Sequence, residues 1–401
     1  MFEIHYTSKT KAESAVDEIK KSLSIEPNLA IFFLAGNLSK SPEKVRLNCN
    51  SICVPVEGII TPKGIWSTGV LALAIDSEAW VQSFEGDASN VYQKLREAKK
   101  GEFNLLIYPL LFFRNRIQLI RILLKLKRTS EIEKVSRIFE ETIYPMNTML
   151  RAFRDEEKTA VAMNLFPLEF GVGTPKISMN GKMMGRKVLC VSFKEKLDCE
   201  FADTFPERGK SFEETAEILA NELVNAKKVS VVKKGIAIKE IDGMSVREFL
   251  RKQGLIMREN VENDLSREKF FGATPYVLCL ISKETHGSSA LGLMDYDLKF
   301  YPSFFDTDVF YDKALFAGEF IRGGIKRVIE EVHEADFAII DQNFMLMFEE
   351  RIVEISKILR SYGIISSYPS YTGKLSKNFL SEIERNVCAN TTETMVFLKF
   401  K

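Results

Sequence analysis

The side chains best suited to hold a small molecule gather in the C-terminal third of this 401-residue chain. Residues 361–373 read Ser-Tyr-Gly-Ile-Ile-Ser-Ser-Tyr-Pro-Ser-Tyr-Thr-Gly, a run of hydroxyls and tyrosines with two glycines. Tyrosine offers an apolar ring with a polar tip, so this stretch suits a pocket for a small polar molecule; an exposed loop is the plain alternative. Asn390, Thr391 and Thr392 follow just ahead of the last apolar run. Arg322, in the turn Arg322-Gly323-Gly324, adds a cation beside an expected helix N-terminus, where a carboxylate or phosphate binds readily. The expected ligand site therefore uses Arg322, Tyr368, Tyr371, Thr372, Asn390 and Thr391, with Tyr371 and Arg322 sharing one pocket.

Other chemistries find less support. No Gly-x-Gly-x-x-Gly follows the first strand-like run and no Gly-x-x-x-x-Gly-Lys-Ser/Thr occurs, so Gly171-Val172-Gly173-Thr174 reads as a tight turn. Gly-x-Ser-x-Gly is absent too. Three histidines, His5, His286 and His333, leave few general bases; His286 is the most interesting because its glycine and serine neighbours allow a backbone bent around a ligand. Six cysteines at 49, 53, 190, 199, 279 and 388 form no Cys-x-x-Cys and read as free thiols. Neither a tightly bound metal nor haem is expected. A basic run, Arg114, Arg116, Arg121, Lys125, Lys127 and Arg128, lies on a helical period without an acid. It suits an anionic partner or a membrane surface, although a solvated face neutralised by Glu131 and Glu133 is the simpler reading.

The elements that must position these groups alternate along the chain. Leu29–Ala35, Gly69–Ile75 and residues 187–193 are apolar runs suited to strands buried on both faces. Helical spacing appears over 11–23, 89–99, 117–126 and 212–226, the last opened by Ser211 and Glu214 as a capping box. Further strands are expected at 229–232, 235–241, 276–282, 337–341 and 394–399, and helices at 313–332, 349–361 and 377–385. Asp242-Gly243 should form a tight turn before a helix starting near Ser245. The polar segment 196–210 is the expected linker, giving lobes 1–204 and 205–401. A faint echo links Gly101-Glu102-Phe103 to Ala335-Asp336-Phe337, each leading into an apolar strand and then a helix.

Composition sets the outer bounds. Hydrophobic residues make up 45% and charged residues 28%, and 56 basic against 55 acidic residues leave a net charge of +1, which argues against a nucleic-acid partner. No run nears the ~20 apolar residues that span a bilayer, and the first residues lack signal-peptide character, so a cytoplasmic protein without membrane insertion is expected.

Several segments, in order, resemble the FIST sensory proteins. Residues 29–34, 54–61 and 69–75 look like the opening of the N-terminal FIST module, and 165–173, 180–182 and 188–193 its later part. Gly235, Ile238, Glu240, Ile241, Asp242 and Gly243 are similar to the signature opening the C-terminal module. Residues 337–343, 363–373 and 390–392 resemble its last strands. The chain departs from the pattern at Pro55-Val56-Glu57-Gly58, Asp341-Gln342-Asn343 and Thr372-Gly373-Lys374. The resemblance adds Asn343 to the ligand-binding set and implies an α/β fold of mixed α+β type, with two lobes that are each a mixed sheet layered with helices. It also implies a small-ligand sensor in signal transduction that passes occupancy to a separate signalling protein. An enzyme acting on a small polar substrate in the same cleft, with Asp242 or Glu240 as acid or base, is the rival expectation.

Overall fold

The computed structural model describes residues 1–109, 116–128, 144, 146–153, 158–165, 174–203, 209–222, 224–234, 237–252, 276–281, 288–294, 299–301, 313–319, 335–340, 362–365, 372–375, 389–391 and 394–400. The chain opens with β1 (Phe2–Thr7), α1 (Ala12–Ser22), β2 (Leu29–Ala35) and β3 (Asn50–Pro55), then a hairpin of β4 (Gly58–Thr61) and β5 (Gly64–Trp66), and β6 (Gly69–Ile75). Next come β7 (Ala79–Phe84), α2 (Ala88–Glu97), β8 (Phe103–Pro109), α3 (Arg116–Arg128), α4 (Met146–Arg151) and β9 (Thr159–Leu165). A hairpin of β10 (Ser178–Met179) and β11 (Lys182–Met183) leads to β12 (Val188–Phe193). A third pass starts with β13 (Asp198–Asp203) and α5 (Phe212–Glu222) and is then interrupted. The interruption holds β14 (Val224–Lys228), β15 (Val231–Lys234), β16 (Ala237–Ile241), β17 (Met244–Ser245) and α6 (Val246–Lys252). It continues with β18 (Tyr276–Ile281), β19 (Ser288–Met294), β20 (Lys299–Tyr301) and β21 (Lys313–Glu319). The third pass resumes with β22 (Phe337–Ile340), β23 (Tyr362–Ile365), β24 (Thr372–Leu375), β25 (Ala389–Thr391) and β26 (Thr394–Lys399).

Three six-stranded sheets share one wiring. Their orders are β1-β6-β2-β3-β10-β11, β7-β12-β8-β9-β24-β25 and β13-β26-β22-β23-β4-β5. In each, the third and fourth strands run parallel and every other neighbour is antiparallel. Register aligns the three copies: Leu29, Phe103 and Phe337 face Ile75, Phe193 and Leu398 on one side and Asn50, Thr159 and Tyr362 on the other. The last two strands of each sheet are borrowed. The first sheet takes β10–β11 from the second pass, the second takes β24–β25 from the third, and the third takes β4–β5 from the first. The echo between 101–109 and 335–340 is thus two copies of a threefold unit, and residues 28–35 are the third. β14 to β21 form a separate eight-stranded sheet inside the third pass.

Alternation explains why these strands are apolar on both faces. Leu29, Ile31 and Phe33 of β2 join Phe103, Leu105 and Ile107 of β8 and Phe337 and Ile339 of β22 in one hydrophobic cluster. Ala30, Phe32 and Leu34 turn the other way, onto Ala15 and Ile19 of α1. Aromatic contacts cross between the sheets: Phe33 to Phe337 at 5.3 Å, Phe2 to Phe193 at 6.1 Å and Phe2 stacked on Phe400 at 4.5 Å. Each buried side chain of this size stabilises the fold by about 1.5–3 kcal/mol. One buried amide has a clear structural task. The Asn104 Oδ1 accepts from the Gly101 N–H (3.0 Å) and the Ser192 hydroxyl (2.8 Å), and its Nδ2 donates to the carbonyls of Gly101 (2.9 Å) and Thr159 (3.3 Å).

The fold is mixed α+β, as expected, with several mixed sheets and few helices among the described residues. Three expectations need correction. Lys313–Glu319, read as the start of a helix, is β21, because it pairs along its length with β18. The helix expected over 212–226 ends at Glu222, and Val224–Lys228 pairs with β21 as β14. Within the expected linker, Asp198–Asp203 is β13 and pairs residue by residue with β26. Pairing therefore crosses residue 204/205 in both the second and third sheets. The expected helices 349–361 and 377–385 lie outside the described residues.

The Asp242-Gly243 turn forms as expected. Both residues have positive φ, 51° and 73°, and Ile241 pairs with Met244 across them, the geometry of a two-residue hairpin whose twist matches its strands. The Ser245 hydroxyl then accepts from the Glu248 N–H (3.3 Å) while the Glu248 carboxylate accepts from the Ser245 N–H (3.0 Å), a reciprocal cap for α6. Ser211 caps α5 likewise, accepting from the Glu214 N–H at 3.1 Å.

Two outcomes follow for denaturation curves. A Cβ on Gly101 would lie 2.0 Å from the Phe193 carbonyl oxygen, so Gly101→Ala should cost about 3 kcal/mol or abolish folding. Ser245→Ala removes the α6 cap and should cost about 1 kcal/mol. Wild-type midpoints for either variant would contradict these contacts.

Candidate functional site

Each pass leaves its second parallel strand through a crossover that hands a hairpin to another sheet. These crossovers span 55–58, 165–178 and 365–372, and all start at the C-terminal ends of β3, β9 and β23. Ligands of open α/β sheets bind beyond the C-terminal ends of parallel strands, where departing loops leave room and unpaired backbone groups. The shared core reaches this end through Val56, Ile59, Leu165, Ile177 and Ile364.

Among the described residues of the crossovers, Glu57 carries the chemistry. The Val56 N–H donates to the Leu34 carbonyl (3.0 Å) and continues the parallel ladder. The Glu57 N–H donates to the Ile365 carbonyl (3.0 Å), which fixes Glu57 at the point where segment 366–371 departs. Its side chain is half-buried, and that burial raises the carboxyl pKa above its ordinary value. Among the described residues no hydrogen bond or ion pair reaches this carboxylate. A partly dry acid can accept a hydrogen bond from a ligand, neutralise a ligand cation, or hold a proton more readily than an ordinary carboxylate. In the sequence its only signal is one acid inside the apolar run 52–60, at a departure from the FIST pattern.

The structure places three of the seven expected site residues. Thr372 lies on β24 and Asn390 and Thr391 on β25, with Thr372 level with Thr391 and with Met163 of β9, and Gly373 level with Asn390. α4 packs against β9, β24 and β25. Ile365 and Thr372 bracket segment 366–371, so the hydroxyl-rich stretch leads from Glu57 in the third sheet to β9 in the second. Arg322, Asn343, Tyr368 and Tyr371 lie outside the described residues, and so does the pairing of Tyr371 with Arg322.

Other candidates have structural tasks. The Asp242 Oδ1 accepts from the Ser230 N–H (2.8 Å) and hydroxyl (3.2 Å), which ties its turn to the residue just before β15. His5 pairs with Glu3 at 3.1 Å on β1, and His286 and His333 lie outside the described residues. Cys49, Cys53, Cys190 and Cys199 are free thiols, as expected. Burial pushes the Cys53 and Cys190 pKa values up to about 12 and about 11, which makes both poor nucleophiles. An open depression of about 300 Å³, lined by Arg46, Asn50 and Asn180 among others, lies where the β10–β11 turn docks on the start of β3. There Asn180 Oδ1 accepts from the Ser51 N–H (2.8 Å) and its Nδ2 donates to Asn50 Oδ1 (3.2 Å), so these amides anchor the hairpin.

Two comparisons with known proteins place the chain in a family. Residues 213–322, spanning nearly all of α5 and the whole of the sheet inserted in the third pass, match the family described as AF0772-like protein C-terminal domain. An uncharacterized protein of Archaeoglobus fulgidus is 48% identical over 347 residues, covering 86% of this chain and 99% of that protein. The chain belongs to the AF0772-like protein family.

Proposed function

We propose that the protein is a small-ligand-binding sensory module whose site lies at the crossover end of the three sheets, with Glu57 contacting the ligand. The observation that carries this reading is the half-buried Glu57 carboxylate, without a described partner, beside the origin of the hydroxyl-rich segment 366–371. A polar ligand offering a hydrogen-bond donor or a cation to Glu57, and taking hydroxyls from 366–372, suits these groups. The resemblance to FIST sensory proteins supports the same place, since the segments carrying it, 54–61, 165–173 and 363–373, contain or overlap the three crossovers. Arg322, Asn343, Tyr368, Tyr371, Thr372, Asn390 and Thr391 remain the proposed remainder of the site, and a separate protein is the proposed receiver of the signal.

Catalysis on a small polar substrate in the same place is the second reading, favoured by one observation. Burial raises the Glu57 carboxyl pKa, so this group holds a proton more readily than an ordinary carboxylate and would take the place of Asp242 or Glu240 as acid or base.

Native mass spectrometry of protein purified from its own host tests the binding reading. Wild type should retain a small molecule that Glu57→Gln holds at least about tenfold more weakly, the loss expected when one charge-assisted hydrogen bond disappears; unchanged retention would refute the role. The pKa direction gives an independent check. Because folding raises the Glu57 pKa, the folded state is favoured when this group is protonated, and stability is lost as pH rises through the folded value. Ligand-free Glu57→Gln should therefore melt above wild type at neutral pH, with the gap closing below the ordinary carboxylate pKa. A Gln variant that melts lower at neutral pH would mean the carboxylate is paired.

A further inference from the structure

We infer that α3 is a docking surface for an anionic lipid bilayer, on which the protein rests without crossing it. Ile117, Ile120 and Leu124 are 61%, 55% and 48% exposed, values at which large aliphatic side chains are normally covered. Their spacing of three and four residues puts them in one stripe along the helix. Arg121 and Lys125, also exposed, form a parallel row beside it. The helix bears Arg116, Arg121, Lys125, Lys127 and Arg128 and no acid, in a chain whose net charge is only +1. The positive charge is therefore a local property of this helix.

An apolar stripe flanked by long cationic side chains is the arrangement of a helix lying in the headgroup plane. Aliphatic groups enter the acyl boundary, and the Lys and Arg stems run along it while their charges meet lipid phosphates. No helix among the described residues is long and apolar enough to cross a membrane, so α3 would adsorb rather than insert. The stripe is straight, aliphatic and without aromatic anchors, whereas protein hot spots favour Trp, Tyr and Arg set in pockets. This inference does not depend on Glu57 or the crossover site.

Full-length protein should co-sediment with phosphatidylglycerol-containing vesicles at low salt, should not do so with pure phosphatidylcholine vesicles, and should be released by high salt. Ile117→Glu with Leu124→Glu should abolish binding, and Arg121→Gln or Lys125→Gln should each weaken it about fivefold. These positions are exposed, so the variants should melt like wild type, and that melting serves as the folding control. Absence from the anionic vesicles would overturn the inference, and so would binding that the Glu pair leaves unchanged. Loss of thermal stability in the Glu pair would also overturn it, by showing that another part of the chain covers the stripe. Capture of an acidic protein through this face without vesicle binding would assign the face to that partner instead.

Discussion

The outer edge of a parallel strand pair carries a row of N–H and C=O groups that must find partners. β3, β9 and β23 all present such an edge, and each is paired by a hairpin that belongs to a different pass of the chain. The exchange is cyclic, so no six-stranded sheet is complete without strands from another pass. The shared core follows from this, because strands tied in that circle bring the odd-numbered residues of β2, β8 and β22 into one cluster. So does the place of the proposed site, since the exchange requires three crossovers at the same ends of the parallel strands.

That arrangement separates tasks in space. At the starts of the strands polar groups are spent on holding hairpins and turns, as with Asn104 on Gly101 and Asn180 on Ser51. At the crossover end a carboxylate sits half-buried with its pKa raised and no described partner. Structural acids of this protein look different: Glu248 is bonded to Ser245 and Asp242 to Ser230. A half-buried acid of this kind is a candidate for ligand contact rather than for stability.

Much of the local structure was legible in the sequence, because it depends on near neighbours. Runs such as Leu29–Ala35 and Gly69–Ile75 are apolar on both faces because core lies on one side and, for β2, helix on the other. The Asp242-Gly243 turn and the Ser245–Glu248 cap rest on residues a few positions apart. Failures came where distant pairing overrides propensity. Lys-Ala-Leu-Phe-Ala-Gly-Glu at 313–319 is rich in helix formers and becomes a strand only because β14 and β18 flank it. Strand exchange itself leaves no local trace. Two of the three repeats were visible as an echo, while the third was hidden because Asn28 stands where the others have Glu102 and Asp336. For the proposed site, β24 and β25 bring Thr372, Asn390 and Thr391 level with one another, while Glu57 shows in the sequence only as an acid in an apolar run, because its burial is created by the fold.

The three passes depend on one another for their strands. Residues 1–204 expressed alone would keep β4–β5 without the third sheet they pair with, and β9 without β24. Urea denaturation of that fragment, followed by circular dichroism, tests this interdependence. Strand exchange predicts no cooperative transition, whereas a sharp two-state transition would show that the first two passes form a complete unit without borrowed strands.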